Sequence, residues 1–186
     1  MMRVALTGGI ACGKSLAAKF LRELGFETID ADDVAHGLLP PEERARLAKT
    51  VFRDPAARKA LEARLHPEIR RRIGEFLAER GPCARRGVVA VVPLLFEVRW
   101  DGDYDIICCV TSAKETQVSR MTETRGYTRE EAEARMAAQM PPGEKAARSH
   151  YVIENDGSPE DLRAAVALFA EWLDEKRREE GKWQKS

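Results

Sequence analysis

Neither sign of charge is in excess along this chain: 31 lysines and arginines stand against 31 aspartates and glutamates in 186 residues. Such a balance supplies no field for holding a polyanion, so a nucleic-acid partner is not expected. Apolar runs are short. None approaches the roughly 18 residues of a spanning helix, and the first residues lack the apolar stretch of an export signal. No membrane partner is expected, and the cytoplasm is the expected compartment. Cysteines are few (Cys12, Cys83, Cys108 and Cys109), and none forms a C-x-x-C pair. Neighbouring residues on a strand point to opposite faces, which argues against a shared metal site at Cys108 and Cys109; both are expected as small buried hydrophobes. Cys12 lies where backbone N–H groups could lower its pKa. No internal repeat is visible. The length suits one sizeable core with appendages, and 44% hydrophobic residues fit a globular enzyme rather than a disordered chain.

What the chain does have begins at once. Val4-Ala5-Leu6-Thr7 is an apolar run, followed by Gly8-Gly9-Ile10-Ala11-Cys12-Gly13-Lys14-Ser15 and then a helical pattern. Gly8, Gly13, Lys14 and Ser15 fill the fixed positions of the G-x-x-x-x-G-K-[ST] phosphate loop. Glycines let the chain curl so that successive N–H groups face a phosphate, and the following helix presents its positive end there. Lys14 can reach the β- and γ-phosphates of a nucleoside triphosphate, and Ser15 can offer its hydroxyl to Mg2+. The residues expected around the nucleotide are therefore Gly8, Gly9, Ile10, Ala11, Cys12, Gly13, Lys14, Ser15 and Leu16.

Four more β-rich runs follow the Arg3–Thr7 run: Glu27–Asp30, Val88–Val92, Tyr104–Val110 and Tyr151–Ile153. Their nearly continuous apolar character predicts a parallel sheet covered on both faces. Leu16, Phe20, Leu21 and Leu24 form a helical stripe that Gly25 can cap. Ser112-Ala113-Lys114-Glu115 and Thr128-Arg129-Glu130-Glu131 read as capping boxes, and Ser158-Pro159-Glu160-Asp161 as a cap with an N1 proline. Leu162, Val166, Phe169 and Leu173 predict a packed last helix, with a frayed charged tail from Glu175 in which Trp183 could still dock. Two arginine-rich inserts interrupt the core. One, Asp33 to Glu79, is patterned through Leu61, Leu65, Ile69 and Ile73; the other, Ala113 to Ala147, is broken by Pro141-Pro142-Gly143.

A phosphate loop names a nucleoside triphosphate and not a reaction. The N-K-x-D of a guanine reader is absent, and the Val88–Val92 strand runs into Pro93-Leu94-Leu95-Phe96-Glu97 rather than the acidic pair of a motor ATPase. Small-molecule and nucleotide kinases remain. Such an enzyme needs a carboxylate to orient the acceptor hydroxyl and take up its proton. Asp30-Ala31-Asp32-Asp33 follows the second strand, at the sheet end that carries the loop. Asp30 and Asp32 would face one side if strand geometry persisted; the competing reading is an acidic helix start, which Asp33 fits better than Asp32.

These segments together resemble the dephospho-CoA kinase family. The shared pieces are Leu6-Thr7-Gly8-Gly9-Ile10 into Gly13-Lys14-Ser15, Ile29-Asp30-Ala31-Asp32, Leu65-His66-Pro67, Val91 to Glu97, Gln117-Val118-Ser119-Arg120, the Arg135–Gln139 spacing and Ile153 to Ser158. The resemblance implies phosphoryl transfer from ATP, with Mg2+, to the 3′-hydroxyl of dephospho-CoA, and a three-layer α/β P-loop kinase fold with a five-stranded parallel sheet. It implies a discontinuous core (1–32, 84–112 and 148–180), an acceptor-binding helical insert (33–83) and a helical lid (113–147). It puts the acceptor-activating carboxylate on Asp32 and catalytic or phosphate contacts on Lys14, Arg120 and Arg125, with Arg135 and Arg148 as lesser candidates. Arg120 and His66 are expected on the acceptor, with a structural role before Pro67 as the rival for His66. Asn155 is expected near adenine or ribose, with a plain Asn-Asp-Gly turn as its competitor. A monomer is expected. Departures are Ala11-Cys12 where Gly-Ser is common, Leu16 where threonine is common, Glu43 where aspartate is usual, and a short stretch after Leu39. Another small-metabolite or nucleoside kinase of the same fold is one alternative, and a non-catalytic nucleotide-binding regulator is the other.

Overall fold

The computed structural model describes residues 2–40, 42–43 and 54–183. Five parallel strands, β1 (Val4–Gly8), β2 (Glu27–Asp30), β3 (Val88–Val91), β4 (Ile106–Thr111) and β5 (Tyr151–Glu154), lie in the order β2-β3-β1-β4-β5. β1 therefore sits at the centre, with Leu6 opposite Val91 on one side and Cys108 on the other. Every residue of β1 and β3 is buried, which explains why neither run alternates. Between β1 and its neighbours the chain direction of winding reverses, and the phosphate loop leaves the sheet at that switch point.

One face of the sheet is covered by α1 (Lys14–Glu23) and α7 (Pro159–Trp183). Phe20 and Leu21 of α1 meet Leu162, Val166, Phe169 and Leu173 of α7 over Val4, Leu6 and Val110. Gly25, at φ 91°, ends α1 as the sequence predicts: its N–H reaches the Arg22 carbonyl, and the Phe26 N–H reaches Leu21. The other face is covered by α3 (Pro55–Arg80), whose Ile69, Ile73 and Leu77 pack on Val88, Ala90 and Val92 with Phe96, Trp100 and Tyr104. The second half of the first insert is thus also the third layer of the core. Pro67 is accommodated inside α3. Within the second insert, α4 (Lys114–Arg125), α5 (Arg129–Ala137) and α6 (Pro142–Ala147) follow one another before β5. Val118 and Met121 of α4 and Ala132 of α5 pack against Ile10 and Ala11 of the phosphate loop.

Several local expectations change. Thr128 makes its reciprocal cap with Glu131, and Ser158 accepts from the Asp161 N–H. Ser112 does not cap α4: the helix begins after Ala113 with no side-chain cap, because the Ser112 hydroxyl donates to the Asn155 carbonyl at 2.7 Å. Instead of fraying at Glu175, α7 continues to Trp183. The charged stretch still satisfies helical spacing, as the Lys176–Glu179 ion pair shows. Strand geometry does not persist past Asp30 either. α2 (Ala31–Leu38) starts at once, and Asp30 caps it by accepting from the Asp32 N–H at 2.9 Å. The residues around Leu47 and Val51-Phe52, and the side chain of Trp183, lie outside what is described.

Candidate active site

Three backbone positions shape the phosphate loop. Gly8 (φ 145°) approaches β4 so closely that a Cβ would lie 2.1 Å from the Val110 carbonyl oxygen; Gly13 (φ 93°) passes Asn155, and a Cβ there would lie 2.2 Å from its Nδ2. No side chain fits either place. Ala11, by contrast, carries a Cβ into the left-handed region at φ 58°, a conformation that costs about 1–2 kcal/mol for an L-residue. The commoner glycine at this position would remove that strain.

Lys14 opens α1 and folds back over its own loop. Its Nζ donates to the carbonyls of Gly8 at 2.9 Å and Gly9 at 2.7 Å. Burial pushes its pKa down, and Asp32 is close enough for its charge to oppose that shift. Ser15 is exposed beside it at the helix N-terminus. A phosphate chain laid on the loop would meet the positive end of α1, the ammonium and the Ser15 hydroxyl together. The donor set fits Mg2+ as well, since that ion keeps most of its shell as water and phosphate oxygen and asks little of the protein beyond a hydroxyl. Among the described residues no cluster of three His, Cys, Asp or Glu side chains could hold a metal independently of a nucleotide.

The loop is held from outside by side chains for which the sequence expectations assigned no such supporting role. Asn155 is buried, and its Nδ2 donates to the Cys12 carbonyl at 2.8 Å. Its amide is therefore a strut of the loop as well as part of the wall of a groove. The Ile10 N–H donates to Gln139 Oε1 at 3.1 Å, and the buried Gln117 donates to the Ser112 carbonyl at 2.8 Å. Both glutamines lie in segments already singled out, but nothing in an isolated glutamine marks Gln139 as a strut of the loop, and Gln117 ties down Ser112 rather than the loop itself. Cys12 departs from its expectation: its thiol is fully buried, and that burial pushes its pKa up despite the nearby Lys14 charge. Cys108 and Cys109 are buried as predicted, with Cys109 pushed up to about 11, chiefly by desolvation.

Two cavities bear on the site, one of them walled in part by the loop. Gly13, Leu16, Arg120, Asn155, Gly157 and Pro159 line a groove of about 320 Å³. Arg120 sits in it, with Nη1 donating to Ser112 Oγ at 3.1 Å and to the Ala11 carbonyl at 3.4 Å. A separate pocket of about 270 Å³, which no residue of the loop itself lines, brings Asp32 and His66 together with Leu65, Leu94, Val98 and Trp100. His66 stands edge-on to Trp100, with ring centroids 5.6 Å apart. Arg120 thus lies away from Asp32 and His66. Arg125 is exposed at the end of α4, where Gly126 (φ 67°) ends the helix. Arg135 lies over the Tyr127 ring at 4.3 Å, and Arg148 lies over Phe96 while pairing with Asp101. A larger hollow of about 490 Å³ lies under Arg3, Arg70 and Tyr104, and no residue of the phosphate loop lines it.

Comparison with known proteins shows the family and the fold. A family model described as dephospho-CoA kinase matches residues 2–45 and 37–161. The dephospho-CoA kinase of Geobacter metallireducens is 39% identical over 201 residues, covering 96% of this chain and 100% of that protein. That of Symbiobacterium thermophilum is 39% identical over 188 residues, covering 89% of this chain and 79% of its own length. Among solved structures, TT1252 from Thermus thermophilus superposes with a TM-score of 0.73 at 38% identity, covering 91% of this chain and 97% of that one. The dephospho-CoA kinase from Campylobacter jejuni gives 0.62 at 26% identity, covering 92% and 96%. Shikimate kinase from Acinetobacter baumannii, at 15% identity and a TM-score of 0.60, shares the fold.

Proposed function

The chain belongs to the dephospho-CoA kinase family, and from that premise we propose how its residues divide the work of the reaction. The activity is ATP-dependent phosphorylation of the 3′-hydroxyl of dephospho-CoA to give coenzyme A, the final step of coenzyme A synthesis. The observation that carries the residue assignment is that Asp32 lines the apolar pocket within reach of the Lys14 charge.

Gly8 to Ser15 hold the triphosphate. Lys14 exchanges the Gly8 and Gly9 carbonyls for β- and γ-phosphate oxygens and stabilises the charge that develops during transfer. Mg2+ bound with ATP neutralises phosphate charge, and Ser15 is the residue that would hold it. The adenosine side lies in the groove between Leu16, Arg120 and Asn155, so Arg120 is reassigned from the acceptor to the nucleotide. Asp32 accepts the 3′-hydroxyl proton and fixes that oxygen in line with the γ-phosphate. His66 and the apolar wall from Leu65 to Trp100 hold the acceptor. The division into core, acceptor insert (33–83) and lid (113–147) belongs to the same proposal, with Arg125 reaching the phosphates when the tip of the lid closes. Among the described residues no helix is long and apolar enough to cross a membrane.

A panel of acceptors with radiolabelled ATP tests the reading. Label should pass to dephospho-CoA in preference to nucleosides, shikimate or sugar acids. Transfer to one of those instead would favour another kinase of this fold, and nucleotide binding with transfer to none would favour a regulator.

A further inference from the structure

Among the described residues, the reaction as described leaves one fully buried cation unused. Lys145, on α6, has no solvent-exposed surface. Its Nζ is 2.8 Å from Glu97 Oε1 and donates to the Pro93 carbonyl, also at 2.8 Å. Glu97 Oε1 accepts in addition from the Met140 N–H at 2.9 Å, while Glu97 Oε2 is buried with no hydrogen-bond partner. Desolvating two ions is expensive, and a pair that leaves one carboxylate oxygen unsatisfied is a poor way to gain stability alone.

The position of the pair suggests what it does. Pro93 and Leu94 line the pocket that holds Asp32, and the Pro93 carbonyl also accepts from Thr7 Oγ1, the last side chain before the phosphate loop. Lys145 approaches from the other insert. Pro142, one helical turn earlier, lies against Gly9, and Gln139 takes the Ile10 N–H. The stretch from Gln139 to Lys145 is therefore fastened to the phosphate loop at one end and to the pocket wall at the other.

We propose that Lys145, with Glu97 as its counter-ion, is a positioning residue that holds the Pro93-Leu94 wall of the acceptor pocket in register with the phosphate loop. It touches neither substrate. This inference rests on the assignment of that pocket to dephospho-CoA. One ammonium joins the segment buttressing the donor site to the segment lining the acceptor site.

Three variants separate positioning from packing: Glu97→Gln, Lys145→Met, and the two combined. Glutamine can still accept from Lys145 and from the Met140 N–H, so Glu97→Gln should keep near-wild-type acceptor kinetics. Lys145→Met strands the Glu97 carboxylate and should lower the unfolding temperature. The double variant removes both charges and should recover it. In the double variant, kcat/KM for dephospho-CoA should still fall by roughly 10- to 100-fold, the scale of a reacting group held out of place, while the Kd for ATP measured by calorimetry stays near the wild-type value. A double variant of recovered stability with wild-type kcat/KM would reduce the pair to packing, and equal weakening of ATP and acceptor would refute a role at the acceptor wall. If the double variant does not fold, Lys145→Arg carries the comparison: its planar fork keeps the charge but cannot reproduce the ammonium's position against Pro93, so acceptor kcat/KM should fall with ATP affinity kept. Unchanged kinetics there would overturn the proposal. A wild-type enzyme inactive on dephospho-CoA would instead sink the assignment of the pocket, a separable outcome.

Discussion

Replacing Gly13 with alanine tests the shape of the phosphate loop, and its size can be worked out beforehand. At φ 93° an L-residue incurs a strain of about 1–2 kcal/mol. The new Cβ would lie 2.2 Å from Asn155 Nδ2, so that amide must move and give up its 2.8 Å bond to the Cys12 carbonyl. Leaving a buried polar group unsatisfied adds about 1–3 kcal/mol. The sum, roughly 2–5 kcal/mol, lowers the unfolding temperature of a chain this size by about 4–20 °C. ATP affinity should fall with it, because the displaced amide enters the groove lined by Leu16 and Arg120. Differential scanning fluorimetry and calorimetry for ATP measure both. The same substitution in an Asn155→Ala background meets no amide and should cost only the backbone strain, a coupling of about 1–3 kcal/mol between neighbours. Equal losses in both backgrounds would refute the clash, and an unchanged unfolding temperature in either would refute the loop geometry.

Ala11→Gly should act the other way, raising stability by about 1 kcal/mol as the left-handed strain at φ 58° is relieved, less the added freedom of the unfolded chain; a loss in thermal unfolding would contradict this. Arg125→Ala should leave the fold and acceptor binding nearly unchanged while lowering kcat in steady-state assays, since its side chain is exposed and supports no core packing; normal turnover would remove it from the site. Cys109, held above its ordinary value of 9.0 at about 11 by burial, stays protonated in the folded state where the unfolded chain ionises. The unfolded state then binds fewer protons, so this thiol's contribution is intact below pH 9 and is lost as pH rises from 9 to about 11. Urea unfolding should accordingly show a shallower alkaline loss of stability for Cys109→Ala than for the natural sequence, and identical slopes would count against it.

The fold was largely legible because continuous apolar runs and capping residues report local physics. All five β-rich runs became strands to within two residues at either end, and Gly25 ended α1 where a left-handed residue was needed. Misreadings came where a distant partner outbid a local one. Ser112 has the sequence of a helix cap, but the Asn155 carbonyl, 43 positions away, takes its hydroxyl. Asp30 and Asp32 looked equivalent until the helix began between them, turning the first into a cap and leaving the second facing the pocket. The phosphate loop was fully marked by its spacing. Its struts were not: Asn155 was noticed for a ligand contact rather than for the Cys12 carbonyl, and Lys145 is one lysine in a charged stretch. Burial of a cation depends on what packs over it, which no local pattern encodes.

The central claim is that the carboxylate of Asp32 orients the ribose 3′-hydroxyl for transfer from nucleotide held by the phosphate loop. Its most direct test is the rate of coenzyme A formation from dephospho-CoA and ATP in wild-type and Asp32→Asn enzyme, with the position of the new phosphate fixed by mass spectrometry and ATP affinity measured on the same preparations. The expected result is phosphate on the ribose 3′-oxygen, a turnover loss of roughly 100-fold or more in the variant, and nearly unchanged ATP affinity. An Asp32→Asn enzyme that forms coenzyme A at the wild-type rate, especially beside an Asp30→Asn enzyme that does not, would contradict it.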